Sequence, residues 1–319
     1  MTRFLVRRTI EMGITFALAS VLLFAILNLA PGGPFDARIA AGHVQDPTYL
    51  ERLNKLIGLD KPIHERYLSW LGNVLHGSLG ESWSMARGQQ VGTIIGSRLP
   101  NTVMLMTTGL VFSLLIAIVI GTISAVRQYS IFDNLFTAFS FFGISIPAFW
   151  FGLIMLKFFG LELKIFPVGG IYSVGKQDDL LDRLWHLILP MIVLSLLQVA
   201  QWSRFLRSSL LETLRQDYVR TARAKGQIER LVLFRHAFRN ALIPLVTVMA
   251  LAIPTLFGGA IFTETIFNWP GMGQLLVNAV GSSDWPVAMG VVIITAGLTI
   301  LANFVADVAY VVVDPRIRY

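Results

Sequence analysis

Eight Arg or Lys side chains fall between Arg207 and Arg239, most of them in the stretch YVRTARAKGQIERLVLFRHAFRNALIP that runs from Tyr218 to Pro244. Cations at this density can fix the topology of a membrane loop, hold an anionic lipid surface, or dock a partner. Patterns for covalent chemistry do not accompany them. A phosphate-cradling Walker A loop needs Gly-x4-Gly-Lys-Ser/Thr, and here Gly175-Lys176 is followed by Gln177. Neither HExxH nor GxSxG occurs, and the five histidines, His43, His64, His76, His186 and His236, are scattered. The chain has no cysteine, which removes disulfides, zinc–thiolate sites and a Cys nucleophile. No catalytic residue, cofactor ligand or metal ligand is assigned.

The elements that carry the basic stretch are apolar. Hydrophobic residues make up 55% of the 319 positions and charged ones 14%, with a mean hydropathy of +0.66; a soluble domain carries about 25% charged residues. A net charge of +7 raises nucleic acid as a partner. The cations sit in loops between long apolar runs and line no soluble face, which excludes it. Six runs reach the roughly 20 residues that a bilayer requires: Thr9–Ala30, Asn101–Val126, Asn134–Phe159, Trp185–Leu206, Asn240–Thr263 and Trp285–Val313. The first follows Arg3, Arg7 and Arg8, contains Glu11 and leads into PGGP, so it reads as a retained helix and not as a cleaved leader. An all-α integral membrane protein with six transmembrane helices is expected.

Lys and Arg in the short loops give the orientation. Nine of them lie in 204–239, whereas the 264–284 loop has none. Both termini and the basic stretch are expected in the cytoplasm. The chain then divides into residues 1–30 (cytoplasmic end and first helix), 31–98 (external), 99–313 (a five-helix core whose elbow spans about 207–240) and a 314–319 tail. In the external segment, Tyr49, Leu50, Leu53, Leu56 and Ile57 recur at helical spacing, as do Ile63, Tyr67, Leu71 and Val74, with Gly58 and Pro62 between them. Two short amphipathic helices, acting as a packing module, are expected there.

Within the basic stretch, Leu211, Leu214, Tyr218 and Ala222 share one helical face. Gly226 supplies a stop. A second short helix places Leu231, Phe234, Phe238 and Leu242 on one side and Arg235 and Arg239 on the other, with Pro244 at the start of the fifth span. The small residues Thr221, Ala222, Ala224 and Gly226 around the bend allow close approach. This is a helix–Gly–helix elbow, and its charge alone leaves all three uses open.

The pattern YVRTARAKG, nine residues, then HAFRNA closely resembles the coupling loop of ABC importer permease subunits, in the oligopeptide/dipeptide/nickel variant. Elsewhere among ABC importers that loop reads Glu-Ala-Ala, three residues, Gly, then Ile-x-Leu-Pro. Here Arg220-Thr221-Ala222 replaces the first motif and Phe238-Arg239 the Leu-Pro, departures usual for the peptide branch, and no role of the missing Glu carries over. FLVRR at 4–8, NLAPGGP at 28–34, IGLDKPIHERYLSWLGNVLHGSLGESW at 57–83, TETIFNWPGMGQLL at 263–276 and DPRIR at 314–318 are similar to family landmarks in the same order. Ser78 departs from a common Gly-Asp-Leu-Gly, so no Asp cap is expected at that point.

The resemblance implies a type I permease that forms half of a translocation pathway with a second homologous permease. An extracytoplasmic binding protein delivers the ligand, with di- or oligopeptides leading and nickel, haem, glutathione or oligosaccharide as alternatives. It also implies two cytoplasmic ATPase subunits that hold ATP and magnesium. The elbow residues Tyr218, Arg220, Thr221, Ala222, Arg223, Ala224, Lys225, Gly226, Arg235, His236, Arg239 and Asn240 are then the surface those subunits push, in a bacterial or archaeal inner membrane. The competing reading is an ion-coupled carrier, which would bury acids and bases deep in its spans. The ionisable Glu11, Lys157, Glu264 and Asp307 instead sit near span ends. Gln198, Gln201, Asn303 and Asn28 lie deeper and read as interhelical hydrogen-bonding groups. Prolines 147, 190, 244 and 254 and the pair Gly258-Gly259 permit kinks and close contacts.

Overall fold

A computed structural model describes residues 2–29, 58 and 60–313, with side chains for 6–28, 58, 60–249, 252 and 260–308. The first amphipathic stretch (Tyr49, Leu50, Leu53, Leu56, Ile57), the PGGP and DPRIR landmarks, and the side chains of Pro254, Gly258 and Gly259 lie outside these. In chain order the helices are α1 (Thr2–Leu29), α2 (Ile63–Leu75), α3 (Val91–Val126), α4 (Ile131–Ser145), α5 (Ala148–Met155, continued by a π-turn Leu156–Glu162), α6 (Leu180–Leu214) and α7 (Asp217–Ala224). A turn Glu229–Leu231 and a π-turn Val232–Phe238 run without a break into α8 (Arg239–Ile266), followed by α9 (Met272–Gly281) and α10 (Trp285–Val313). Among the described residues the only β pairing is one bridge between Glu81 and Gln90.

Five of these helices are long and apolar enough to cross a bilayer, and six if the bent pair Ile131–Ser145 and Ala148–Glu162 counts as one broken span. The chain is thus an all-α membrane protein with the expected number of spans. The third span is the exception in shape: Pro147 was expected to permit a kink, and the span bends there by 109°. Ile146 precedes Pro147 and takes the extended conformation (ψ 130°) that a following proline favours, and Pro147 itself has ψ 130°. Two consecutive non-helical residues end α4 and start α5. The expected second amphipathic helix of the external segment is present as α2. The 264–284 loop contains an unforeseen helix, α9.

The chain forms two compact units, Met1–Thr102 with Pro270–Leu301, and Val103–Trp269 with Ala302–Tyr319. In the first, Val91, Ile95, Met272, Ala279, Val287 and Ala288 form the core. Gly290 is required there, because a Cβ would stand 2.6 Å from Val91 Cγ1. The Asn101 side-chain amide donates to the Pro270 carbonyl (2.8 Å), and the Thr102 hydroxyl accepts the Met272 amide (2.7 Å). Helix α2 buries no residue fully; it meets α1 through Tyr67 and Trp70, whose rings lie 5.4 and 5.6 Å from Phe24. Asn28 receives the Arg66 guanidinium, the one interhelical bond seen among the four deep amides. The Ser78 hydroxyl takes the Gly80 amide (3.4 Å) in the turn after α2.

In the second unit, Trp202, Leu206, Leu210 and Leu245 are fully buried with Ala117. Lipid tails are as apolar as leucine, so such helices associate by close packing of small residues. Gly121 shows this: a Cβ there would come within 2.8 Å of the Ser203 carbonyl. Gln198 is buried with its side-chain carbonyl unpartnered, and Gln201 and Asn303 are exposed, so the expected interhelical bonding is not seen for these three.

Candidate functional site

The elbow belongs wholly to the second unit. Arg215 caps α6, and Gln216 turns extended (ψ 148°) before α7 begins at Asp217. This break displaces the face expected from Leu211 through Ala222. Val219 and Ala222 are the buried residues of α7, while Tyr218 is 44% exposed. After α7, Gly226 (φ 73°) closes a Schellman motif, with its own amide on the Arg223 carbonyl (2.9 Å) and the Gln227 amide on the Ala222 carbonyl (3.4 Å). The left-handed conformation explains the glycine.

The return arm differs from the expectation in two respects. It is not a separate short helix: the chain is helical from Glu229 through Ile266, and Pro244 lies inside α8. Its buried side is Val232, Ala237, Ala241 and Leu245, not Leu231, Phe234, Phe238 and Leu242. The π-turn is the cause, since one extra residue per turn brings Val232 and Ala237, five apart, onto one face. Phe238 and Leu242 are partly buried against the same core, but Leu231 and Phe234 are turned outward, 37% and 57% exposed.

Polar contacts lock the two arms together. The Asn240 side-chain amide donates to the Tyr218 hydroxyl (3.1 Å) and the His236 carbonyl (2.9 Å), and His236 Nε2 donates to Gln227 Oε1 (2.9 Å). Arg223 reaches across the bend to Glu229 (2.6 Å), and that hydrogen bond raises the Arg223 pKa above its ordinary value. Thr221 donates to the Asp217 carbonyl (2.9 Å), and Arg220 lies 3.6 Å from Asp217. Ala224, Lys225, Gly226, Arg235 and Arg239 are exposed. The result has a root and a tip. Val219, Ala222, Val232 and Ala237 bury the root, and Tyr218, Ile228 (72% exposed), Leu231 and Phe234 present an apolar tip among arginines. Among the described residues no group of three His, Asp or Glu comes together to hold a metal.

Two carboxylates were not foreseen. Asp133 is buried in α4 and accepts both Arg207 Nε (2.6 Å) and a terminal guanidinium nitrogen (2.7 Å), bracing α6 beside the elbow; the partners are 74 positions apart and no local signal links them. Asp284 is buried in the first unit and accepts the Ser82 hydroxyl (2.5 Å) and the amides of Trp83, Ser84 and Met85 (3.1, 2.9 and 2.9 Å). Burial raises its pKa, but the Ser82 hydroxyl and the three amides outweigh that and hold it below the usual carboxylate range. Asp284 also precedes α10 as its N-cap, so Asp-Trp-Pro ahead of an apolar run was the signal available.

Comparison with known proteins agrees with this architecture. Residues 117–319 match the family described as binding-protein-dependent transport system inner membrane component, and residues 1–106 match its N-terminal companion. The chain is 41% identical to the oligopeptide transport system permease protein AppB of Bacillus subtilis, over 100% of both chains. It is 39% identical to the di/tripeptide transport system permease protein DppB of Pseudomonas aeruginosa (100% of this chain, 99% of that one). Against the dipeptide permease DppB of Escherichia coli the figure is 36%, with the same coverage. A solved structure of the methionine ABC transporter MetNI, inward facing, matches 69% of this chain and 96% of its own at a TM-score of 0.56 and 18% identity, which shows a shared fold. The chain belongs to the binding-protein-dependent transport system inner membrane component family.

Proposed function

We propose that this chain is one of two related permease subunits of an ATP-driven ABC importer of di- or oligopeptides, and that its elbow is the part moved by the ATPases. Relatives matched over their full length carry peptide transport names, which supports the substrate class. ATP and magnesium belong to two cytoplasmic ATPase subunits, and an extracytoplasmic binding protein hands over the peptide. Both termini and the elbow face the cytoplasm, following the distribution of Lys and Arg.

The observation that carries the elbow's role is its division into root and tip. Ile228 and Phe234 are exposed beside a root in which Val219, Val232 and Ala237 are completely buried. The fold gains nothing from apolar side chains held in water, so the tip is built for a protein groove. The buried root makes it rigid enough to transmit a push. ATP-driven closure of two ATPases would then bias the permease between inward- and outward-open states.

The test is uptake of a radiolabelled dipeptide into liposomes holding the complete complex, with and without the ATPase subunits, together with cross-linking from Ala224→Cys. ATP-dependent uptake and a cross-link to an ATPase subunit are expected. Uptake by this chain without ATPases, driven by an ion gradient, would establish the carrier reading instead.

A further inference from the structure

One face of α6 is ill suited to lipid. Leu197, Gln201, Phe205, Ser208 and Glu212 are spaced three or four residues apart and are all exposed in their unit. Gln201 lies well within the long apolar helix Leu180–Leu214, and an amide turned to hydrocarbon is costly. Against this face runs a groove of about 580 Å³ whose walls include Ile144 of α4 and Pro244 of α8, with Arg204, Ser208 and Glu212 also lining it. The Arg204 guanidinium stands 4.1 Å from the Phe141 ring centroid, which positions the cation without neutralising it. Neither Arg204 nor Glu212 forms an ion pair among the described residues.

We propose that this groove is a water-filled stretch of the peptide path, in which Arg204 engages the substrate's carboxylate and Glu212 its ammonium. The inference rests on the import reading above. The two charges are eight positions apart, about 12 Å along a helix. An extended dipeptide spans at most about 7 Å, so it meets the charges in succession and is not clamped between them. Weak sequential contact suits a path that must release what it conducts, and it ignores side chains, as a carrier of varied peptides requires. Groups of this kind discriminate by the two termini.

The absence of cysteine from the natural chain makes the test direct. Gln201→Cys, Ser208→Cys and, as a control, Leu115→Cys on the exposed face of α3 are each assembled into the complete complex in liposomes. A charged, membrane-impermeant maleimide is the probe, and the mass of this chain is the readout. Gln201→Cys and Ser208→Cys are expected to label without nucleotide and to label severalfold more slowly when ATP with vanadate closes the ATPases, while Leu115→Cys stays unlabelled. Arg204→Gln is expected to lower uptake of a free dipeptide about fivefold and that of its C-terminal amide less than about twofold, with Arg204→Lys restoring the difference. If the natural complex imports dipeptide while the two groove positions label no faster than Leu115→Cys, the groove proposal is overturned and the import reading stands. If the natural complex imports no peptide, the import reading fails, and the labelling still decides whether water reaches the groove.

Discussion

The loop held by Asp284 and the elbow around Gly226 use charge in opposite ways. Asp284 is completely buried, and its two oxygens take a hydroxyl and three backbone amides. The elbow's cations stand in solvent, and the shortest ion pair there, Arg223 with Glu229, is exposed on both sides. A buried carboxylate with its acceptors filled serves the chain's own structure, because any vacancy would cost the full desolvation of the charge. Exposed charge and exposed aromatic surface contribute little internally, so their use must be sought outside the chain. The same contrast separates residues whose loss unfolds from residues whose loss disconnects.

The largest effect is expected at Asp284. Replacing it with Ala takes the acceptor from the Ser82 hydroxyl and three backbone amides and should destabilise the first unit by about 1–3 kcal/mol for each donor that water does not reach. Detergent-solubilised protein should show a lower melting temperature and earlier proteolysis at Ser82–Met85. The pH dependence has a definite sign. A folded-state pKa held below its ordinary value gives stability that is complete above about pH 4 and lost as pH falls through the lowered value. Melting temperature should be flat from neutral pH to about pH 5 and decline below about pH 4, and Asp284→Asn should make that decline shallower, the remainder belonging to other carboxylates held low, such as Asp182 and Glu229. If Asp284→Ala melts like the natural chain, the contrast with the elbow is broken.

The converse change is Ile228→Ser with Phe234→Ser. Both side chains are mostly exposed, so the melting temperature should hold, as it does for surface changes worth less than about 0.5 kcal/mol. Binding of the ATPase subunit should weaken at least tenfold, at about 2 kcal/mol for an aromatic anchor in a protein groove. Assembly is read by co-purification and coupling by dipeptide uptake per ATP hydrolysed. Normal assembly would show that the tip has no partner.

How much of this was legible in the sequence depended on the range of the interaction. Gly226 was read correctly as a stop because a left-handed position is a local requirement, and the Schellman bonds satisfy it within six residues. Trp285–Val313 was read to the residue because its apolar run starts directly after the polar stretch Gly281–Asp284 and continues without a charge up to Asp307. The buried side of the return arm was misread because a helical count of 3.6 assigns Phe234 to the core, and the π-turn that exposes it leaves no mark in residue types. The bend at Pro147 was signalled by its proline, but proline alone does not separate a kink from a break, and Pro190 stays inside α6. Asp133 with Arg207 depends on packing between distant segments, which one sequence does not encode locally.

Gly226 sharpens the comparison at a smaller scale. A Cβ built there meets nothing within 4 Å of its own chain, so the only internal cost of Gly226→Val is the left-handed backbone, about 1–2 kcal/mol. Gly226→Asn tolerates that conformation while filling similar space. If the bend seats in an ATPase groove, both variants should reduce dipeptide uptake while insertion and melting temperature are kept by Gly226→Asn. Loss of uptake in Gly226→Val alone would assign the effect to strain and leave the groove unsupported.

The smallest effect is expected at the Arg223–Glu229 pair. At 2.6 Å with side chains 42% and 66% exposed, it is worth about 0.5 kcal/mol at most, because water screens the attraction and two long side chains lose freedom to make it. Glu229→Gln should therefore leave the melting temperature unchanged within error, and salt should erase what difference there is. The substitution also frees the Arg223 guanidinium at the bend, adding one unpaired cation to a surface that already carries Arg220 and Lys225. If the elbow seats against an acidic rim of the ATPase, Glu229→Gln should leave assembly intact or tighten it modestly at low salt. If Glu229 itself is read by the partner, assembly should weaken while the fold holds. Comparing co-purification at two salt concentrations decides between a bridge that merely shapes the bend and a carboxylate that the partner touches.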